Sequence, residues 1–267
     1  YKDLFAAVHE MPECREKINI ADSLYNIVFE APVIEDYKYI EPSDIENIKK
    51  SSDGGKLPKK SFTKQELYNK VKGAWIGRIC GCLLGKPFEG IMQADMINYM
   101  KKANNYPFHR YALQKEITED IINSSEFKFP TKTFPDVIKN APIDDDTNYT
   151  VMSSNIIEEY GKDFNSENVA RTWIFSQLKD DYCTAERVAY LNAVNGYCPP
   201  DTAIYKNPYR EWIGAQIRGD YFGYINPCDI QTAAEMAWRD ARISHIKNGI
   251  YGEMFIAAML AAAFSLD

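Results

Sequence analysis

The sequence predicts an all-α fold, an orthogonal multi-helix body with a small N-terminal extension, and three observations lead there. Apolar residues recur at helical spacing in several segments, most clearly Val151, Met152, Ile156 and Ile157. Thr63-Lys64-Gln65-Glu66 has the form of a capping box, a Thr N-cap answered by a Glu three residues later. No stretch alternates apolar and polar residues convincingly enough for a sheet.

Residues 1 to about 50 mix short apolar groups, such as Leu4-Phe5-Ala6-Ala7-Val8, with prolines and acids, and predict a partly helical extension without a chemical signature. Ser51 to Lys60 is rich in turn formers and charge. It predicts a boundary between an extension, residues 1–60, and a main domain, residues 61–267. The helix opened at Thr63 carries Gly73, Gly77, Gly81 and Gly85, four residues apart on one face. Each glycine in a helix costs about 1 kcal/mol relative to alanine. Such a stripe calls for a closely packed helix, the commoner meaning, or for a ligand approaching the backbone. Lys86-Pro87-Phe88-Glu89 should end the helix and place Glu89 near its C-terminal end.

Residues 91–135 lack a sustained period and predict short helices and a long loop. Helices are expected over Asn165 to Leu178 and Thr232 to Arg242, with a loop from Gly196 to Tyr209 between them. Residues 211–224 hold three glycines and an aromatic cluster, suiting a turn on the core or a flat ligand. The segment after Met254 is apolar on all faces, as in helices at the centre of a larger protein.

The chain centres chemically on Ala141-Pro142-Ile143-Asp144-Asp145-Asp146-Thr147. Pro142 disfavours helix at Ala141, so the acidic run should straddle a loop and the start of a helix that Gly161 stops. One Asp suffices as an N-cap. Three adjacent carboxylates repel one another unless water or a hard divalent cation neutralises them. A solvated cap and a metal site both fit the local sequence.

Composition narrows the classes. Hydrophobic residues at 45% and a length of 267 supply a sizeable core. A formal charge of −7 lacks the basic footprint of a general nucleic-acid binder. No apolar run is long enough to span a bilayer. Six cysteines without a C-x-x-C pair read as reduced thiols of a cytoplasmic protein, and three histidines argue against a histidine-rich centre.

Three motifs together resemble the ADP-ribosylglycohydrolase family. They are Gly73-Ala74-Trp75-Ile76-Gly77 running through Gly85-Lys86-Pro87-Phe88-Glu89, then Asp145-Asp146-Thr147, and then Ser244-His245 followed by Asn248-Gly249 and Tyr251-Gly252. The resemblance covers about residues 63–267. It implies an all-helical hydrolase that uses two magnesium ions to cleave the bond between ADP-ribose, or a related ribosyl nucleotide, and an acceptor on a protein or small molecule. It further implies Asp144, Asp145, Asp146 and Thr147 as metal ligands, Glu89 with Asp145 and Asp146 as the catalytic carboxylates, and Ser244, His245, Gly249 and Tyr251 along an ADP-ribose groove. Two departures stand out. Cys82 occupies a position where the family usually has aspartate, and no second aspartate-x-aspartate-threonine motif follows Asp146. The expectation is therefore a second metal site that is incomplete, with the remainder of the domain lost or supplied as a separate chain. A catalytically inactive ADP-ribose-binding protein, or a structural helical protein of the same fold, is the alternative.

Overall fold

In the computed structural model, which describes residues 1–52 and 54–266, thirteen α-helices and four short 3₁₀ turns form the chain, and no strand occurs among the described residues. Asp53 of the expected linker and Asp267 lie outside the described residues. The helices are α1 (Lys2–Glu10), α2 (Arg15–Phe29), α3 (Ile45–Lys50), α4 (Lys64–Gly85), α5 (Gln93–Lys102), α6 (Glu119–Asn123) and α7 (Asp145–Tyr160). They continue as α8 (Ser166–Ser176), α9 (Thr184–Val194), α10 (Asp201–Ile204), α11 (Asp220–Tyr224), α12 (Ile230–Ala241) and α13 (Asn248–Ala263).

Two compact units result, Tyr1–Pro42 and Ser43–Asp267. In the first, α1 packs on α2, and Lys17 closes the connecting turn through His9 O, Met11 O and Glu13. Leu24 is the one buried hydrophobic among its described residues. The division between compact units falls after residue 42, and residues 43–50 pack within the second unit. Ile48 of α3 lies against Ala241 and Ile250, Lys49 pairs with Glu235 at 2.9 Å, and the Trp238 indole N–H donates to Ser43 O.

Side chains set the helix starts where the spacing predicts them. Thr63 and Glu66 make both bonds of the capping box that opens α4. Asp144 caps α7, and Gly161 ends it at φ 74°, a conformation that suits glycine. Asn165 caps α8. The expected loop over 196–209 contains one more turn of helix, α10, entered through Pro200.

The main core gathers Tyr149, Met152 and Ile156 of α7 against Trp173 of α8, Tyr182, Phe222, Met236 of α12 and Ala257 of α13. Within α13 the buried stripe is Gly249, Glu253, Ala257 and Ala261, four residues apart, whereas Phe255 and Met259 are exposed. Small residues on neighbouring elements bring α13 in closely. A Cβ on Gly219 would sit 2.9 Å from Glu253 O, and one on Gly223 would sit 2.6 Å from Leu260 Cβ. A second cluster of Phe88, Tyr99, Ala112, Ile121 and Phe134 anchors the chain that follows α4.

The glycine stripe of α4 departs from its commoner meaning. A Cβ added at Gly73, Gly77, Gly81 or Gly85 would meet nothing within 4 Å, so among the described residues no helix packs there.

Candidate metal and ligand site

The start of α7 is built from Asp144 outward. Its Oδ1 accepts the Asp146 amide N–H at 3.1 Å, which satisfies one free donor of the first turn. Asp144 is buried, Asp146 half-buried and Asp145 exposed on one side, while the Thr150 hydroxyl one turn on bonds back to Asp146 O. Thr147 is half-buried in the same first turn.

The C-terminal half of α4 faces this acidic start with Arg78, Cys82 and Lys86, which share one stripe at four-residue spacing. Lys86 Nζ lies 2.7 Å from Asp144 and 3.1 Å from Glu89, and Arg78 lies 3.5 Å from Asp146. Arg78 is held in turn by Asp220 of α11, which also accepts the Tyr224 hydroxyl at 3.0 Å. Cys82 Sγ and one carboxylate oxygen each of Asp144 and Asp146 lie within 4.8 Å of one another.

The electrostatics follow from these contacts. Burial pushes Asp144 up, but the hydrogen bonds from Lys86, the Asp146 amide and Cys82, together with the Lys86 charge, outweigh it and hold the carboxyl below the usual range. Partial desolvation and then the Asp144 charge raise Asp145, with Glu89 adding to the repulsion. Desolvation raises Asp146 as well, against the attraction of Arg78. Burial and the Asp144 charge push the Cys82 thiol up to about 12. Two cations, Lys86 and Arg78, thus pair with four carboxylates, Glu89, Asp144, Asp146 and Asp220, with Asp145 beside them. Desolvation and mutual repulsion raise two carboxyls at one helix start, which a bound cation would relieve. The donor chemistry therefore fits a divalent cation, with one sulfur among the oxygens.

Beside the acidic start, a cavity of about 130 Å³ is lined by Asp145, Tyr149, Thr184, Glu186, Trp212 and Gly214 among others. Glu186 forms its buried side and is held at 2.8 Å by Arg218. Gly214 leaves room for that carboxylate, since a Cβ there would fall 2.3 Å from its oxygen. Arg218 is 1% exposed and also binds Asp240, sits 3.5 Å from Glu253 and stacks over Trp173 at 4.9 Å and Tyr149 at 5.7 Å. It ties α7, α9, α12 and α13 together immediately below the acidic turn.

The expected site residues divide by placement. Asp144, Asp145, Asp146 and Thr147 come together, and Glu89, exposed at the end of α4, lies within electrostatic reach of Asp145. Ser244 and His245 are fully buried, bonded to each other at 2.8 Å, and Gly249 packs against the His245 ring. That placement packs the three into one corner of the core. Burial and the Arg218 charge keep His245 neutral, its pKa well below the ordinary value. Tyr251 is half-buried beside the cluster of Ala215, Ala241 and Ile250. The sequence reading passed over Arg78, Lys86 and Glu186 and gave Arg218 no role. The signal present for the first two was their four-residue spacing with Cys82, opposite an acidic run.

Comparison with known families matches the ADP-ribosylglycohydrolase family over residues 63–267, which takes in the whole of α4 through α13. Comparisons with curated proteins and with solved structures give no match. The match covers more than half of the chain and agrees with its all-helical architecture, and this chain belongs to the ADP-ribosylglycohydrolase family.

Proposed function

We propose that this chain is a metal-dependent hydrolase that cleaves the glycosidic bond between ADP-ribose, or a related ribosyl nucleotide, and an acceptor. The observation that carries this is the concentration of Asp144, Asp145 and Asp146 at the start of α7, with Asp145 and Asp146 both raised, in a chain of this family. Asp145 and Asp146 would hold a divalent cation, magnesium on the family's expectation, with Asp144 or Thr147 completing the oxygen set. When bound, such an ion orients ribose hydroxyls and lowers the pKa of a bound water.

The protein's own groups have separable tasks. The bond breaks through an oxocarbenium-like state, so a carboxylate must manage the proton of water or leaving group. Glu89 is our candidate. It is exposed, carried on a turn anchored by buried Phe88, paired with Lys86 at 3.1 Å and close enough to Asp145 to add to its repulsion. Arg78 and Lys86 fix the rotamers of Asp146 and Asp144, so those carboxylates are oriented before any ligand arrives. The half-open cavity lined by Asp145, Glu186 and Trp212 adjoins the acidic turn and offers a place for a substrate group.

One observation favours a second reading, a catalytically inactive ADP-ribose binder or structural protein. Lys86 already neutralises Asp144, and Arg78 approaches Asp146, so the turn is partly satisfied without any metal. Incubation with ADP-ribosylated acceptors, followed by chromatographic detection of free ADP-ribose, separates the two. Release that is lost in Asp145→Ala supports the hydrolase. Cation-dependent ADP-ribose binding without any release supports the binder.

A further inference from the structure

Within the second unit, a groove of about 590 Å³ runs between α3 and the helix pair α12 and α13. It joins residues that precede the family match, 45–55, to residues inside it. Its apolar lining is aliphatic: Ile45 and Ile48 from α3, Ile230 and Ala234 from α12, Met254 and Ala258 from α13. None of the lining side chains among the described residues is aromatic, so a flat base would find no ring to stack on. The acid on this side, Glu235, is held by Lys49 at 2.9 Å and by Arg239 at 2.8 Å. Gly54, at φ 58°, turns the following chain over α12, where the Gln231 side-chain amide donates to Gly54 O at 3.4 Å. Past Gly55, Ile230 and Gln231 the groove opens into a second space of about 460 Å³, lined by Lys56, Lys59 and Lys60. The acid at this end, Asp229, is engaged by the start of α12, accepting the Thr232 amide N–H at 3.1 Å and hydroxyl at 2.8 Å. Lys56 and Lys59 are exposed and have no acidic partner among the described residues. One end of the groove thus offers aliphatic surface and the other offers unanswered positive charge, in a volume typical of small-molecule sites.

We propose that this groove binds a long-chain aliphatic carboxylate, its chain along Ile45, Ile48, Ile230 and Met254 and its head beside Lys56 and Lys59. Burial of the chain supplies most of the affinity, since each methylene taken out of water is favourable. The lysines fix the direction in which the ligand lies, as compact point charges suited to a small, singly charged head. The groove shares no residue with the acidic turn of α7, so this binding is independent of the proposed hydrolysis.

The test is a calorimetric titration of the full chain with decanoate, beside decanol and decylamine at the same ionic strength. We expect one decanoate per chain, with decanol about tenfold weaker and decylamine weaker still. Lys56→Glu/Lys59→Glu should weaken decanoate by about tenfold and leave decanol unchanged. Ala258→Phe, which fills the aliphatic end, should weaken both. Decanol bound as tightly as decanoate, or decanoate affinity unmoved by the lysine reversals, overturns the proposal. Failure of decanoate to bind the parent chain overturns it as well. Because Lys56 and Lys59 are exposed, their reversal spares the fold, and the result stands even where Ala258→Phe does not fold.

Discussion

Glu253 shows how one residue couples the core to pH. Burial, and then the charge of Asp240, hold its carboxyl well above the ordinary value of 4.5. The folded chain therefore keeps a proton that the unfolded chain releases above about pH 4.5. Where the native state binds more protons, stability falls as pH rises. The contribution of this position is thus present in acid and declines as pH climbs toward the folded-state pKa. Glu253→Gln removes that titration and should flatten the decline, which urea midpoints measured from about pH 5 to about pH 8 would show. A slope as steep as the parent's would mean that other groups carry it. At the same scale the acidic trio was legible in the sequence, because three adjacent carboxylates are visible without a fold. The partners of Arg218 were not, since Glu186, Asp240 and Glu253 lie 22 to 35 positions away and meet only through tertiary packing.

Among the elements, α4 and α11 use glycine in opposite ways. Gly77 and Gly81 of α4 face open space, so Gly77→Ala or Gly81→Ala should stabilise the isolated chain by about 0.5–1 kcal/mol each through helix propensity. Gly223 lies where a Cβ would press on Leu260, so Gly223→Ala should destabilise by about 1–3 kcal/mol. Thermal or urea melts of the three variants check the pair of signs, and a loss on Gly77→Ala would mean that the face is covered in solution. Helix starts were legible because Thr63, Asp144 and Asn165 announce themselves through local caps. The unit boundary was not, because turn-rich composition near residue 55 says nothing of what Ile48 and Ser43 pack against. Nor was the burial of Ser244 and His245, since a motif fixes the order of residues and not the direction in which they point.

At the scale of the molecule, Arg218 joins the site to the rest of the fold. Among the described residues it meets all three buried carboxylates, Glu186 of α9, Asp240 of α12 and Glu253 of α13, and its guanidinium stacks on Tyr149, one turn beyond Asp145. Removing it leaves those carboxylates that are ionised buried without their partner, so Arg218→Met should cost about 3–5 kcal/mol in denaturant unfolding. Arg218→Lys should recover only part, because an ammonium lacks the planar fork that meets several carboxylates at once. A loss well under about 1 kcal/mol would show that the cluster does not depend on its arginine. The acidic turn of α7 rests on this scaffold, and its capacity to hold an ion and a nucleotide is the central claim. Calorimetric titration of ADP-ribose tests it most directly, run with and without a divalent cation and repeated on the Asp145→Ala/Asp146→Ala variant. Cation-dependent binding that disappears in the variant is the predicted result. Binding of equal strength under all three conditions, or none at all by a parent chain already shown to hold the cation, would contradict it.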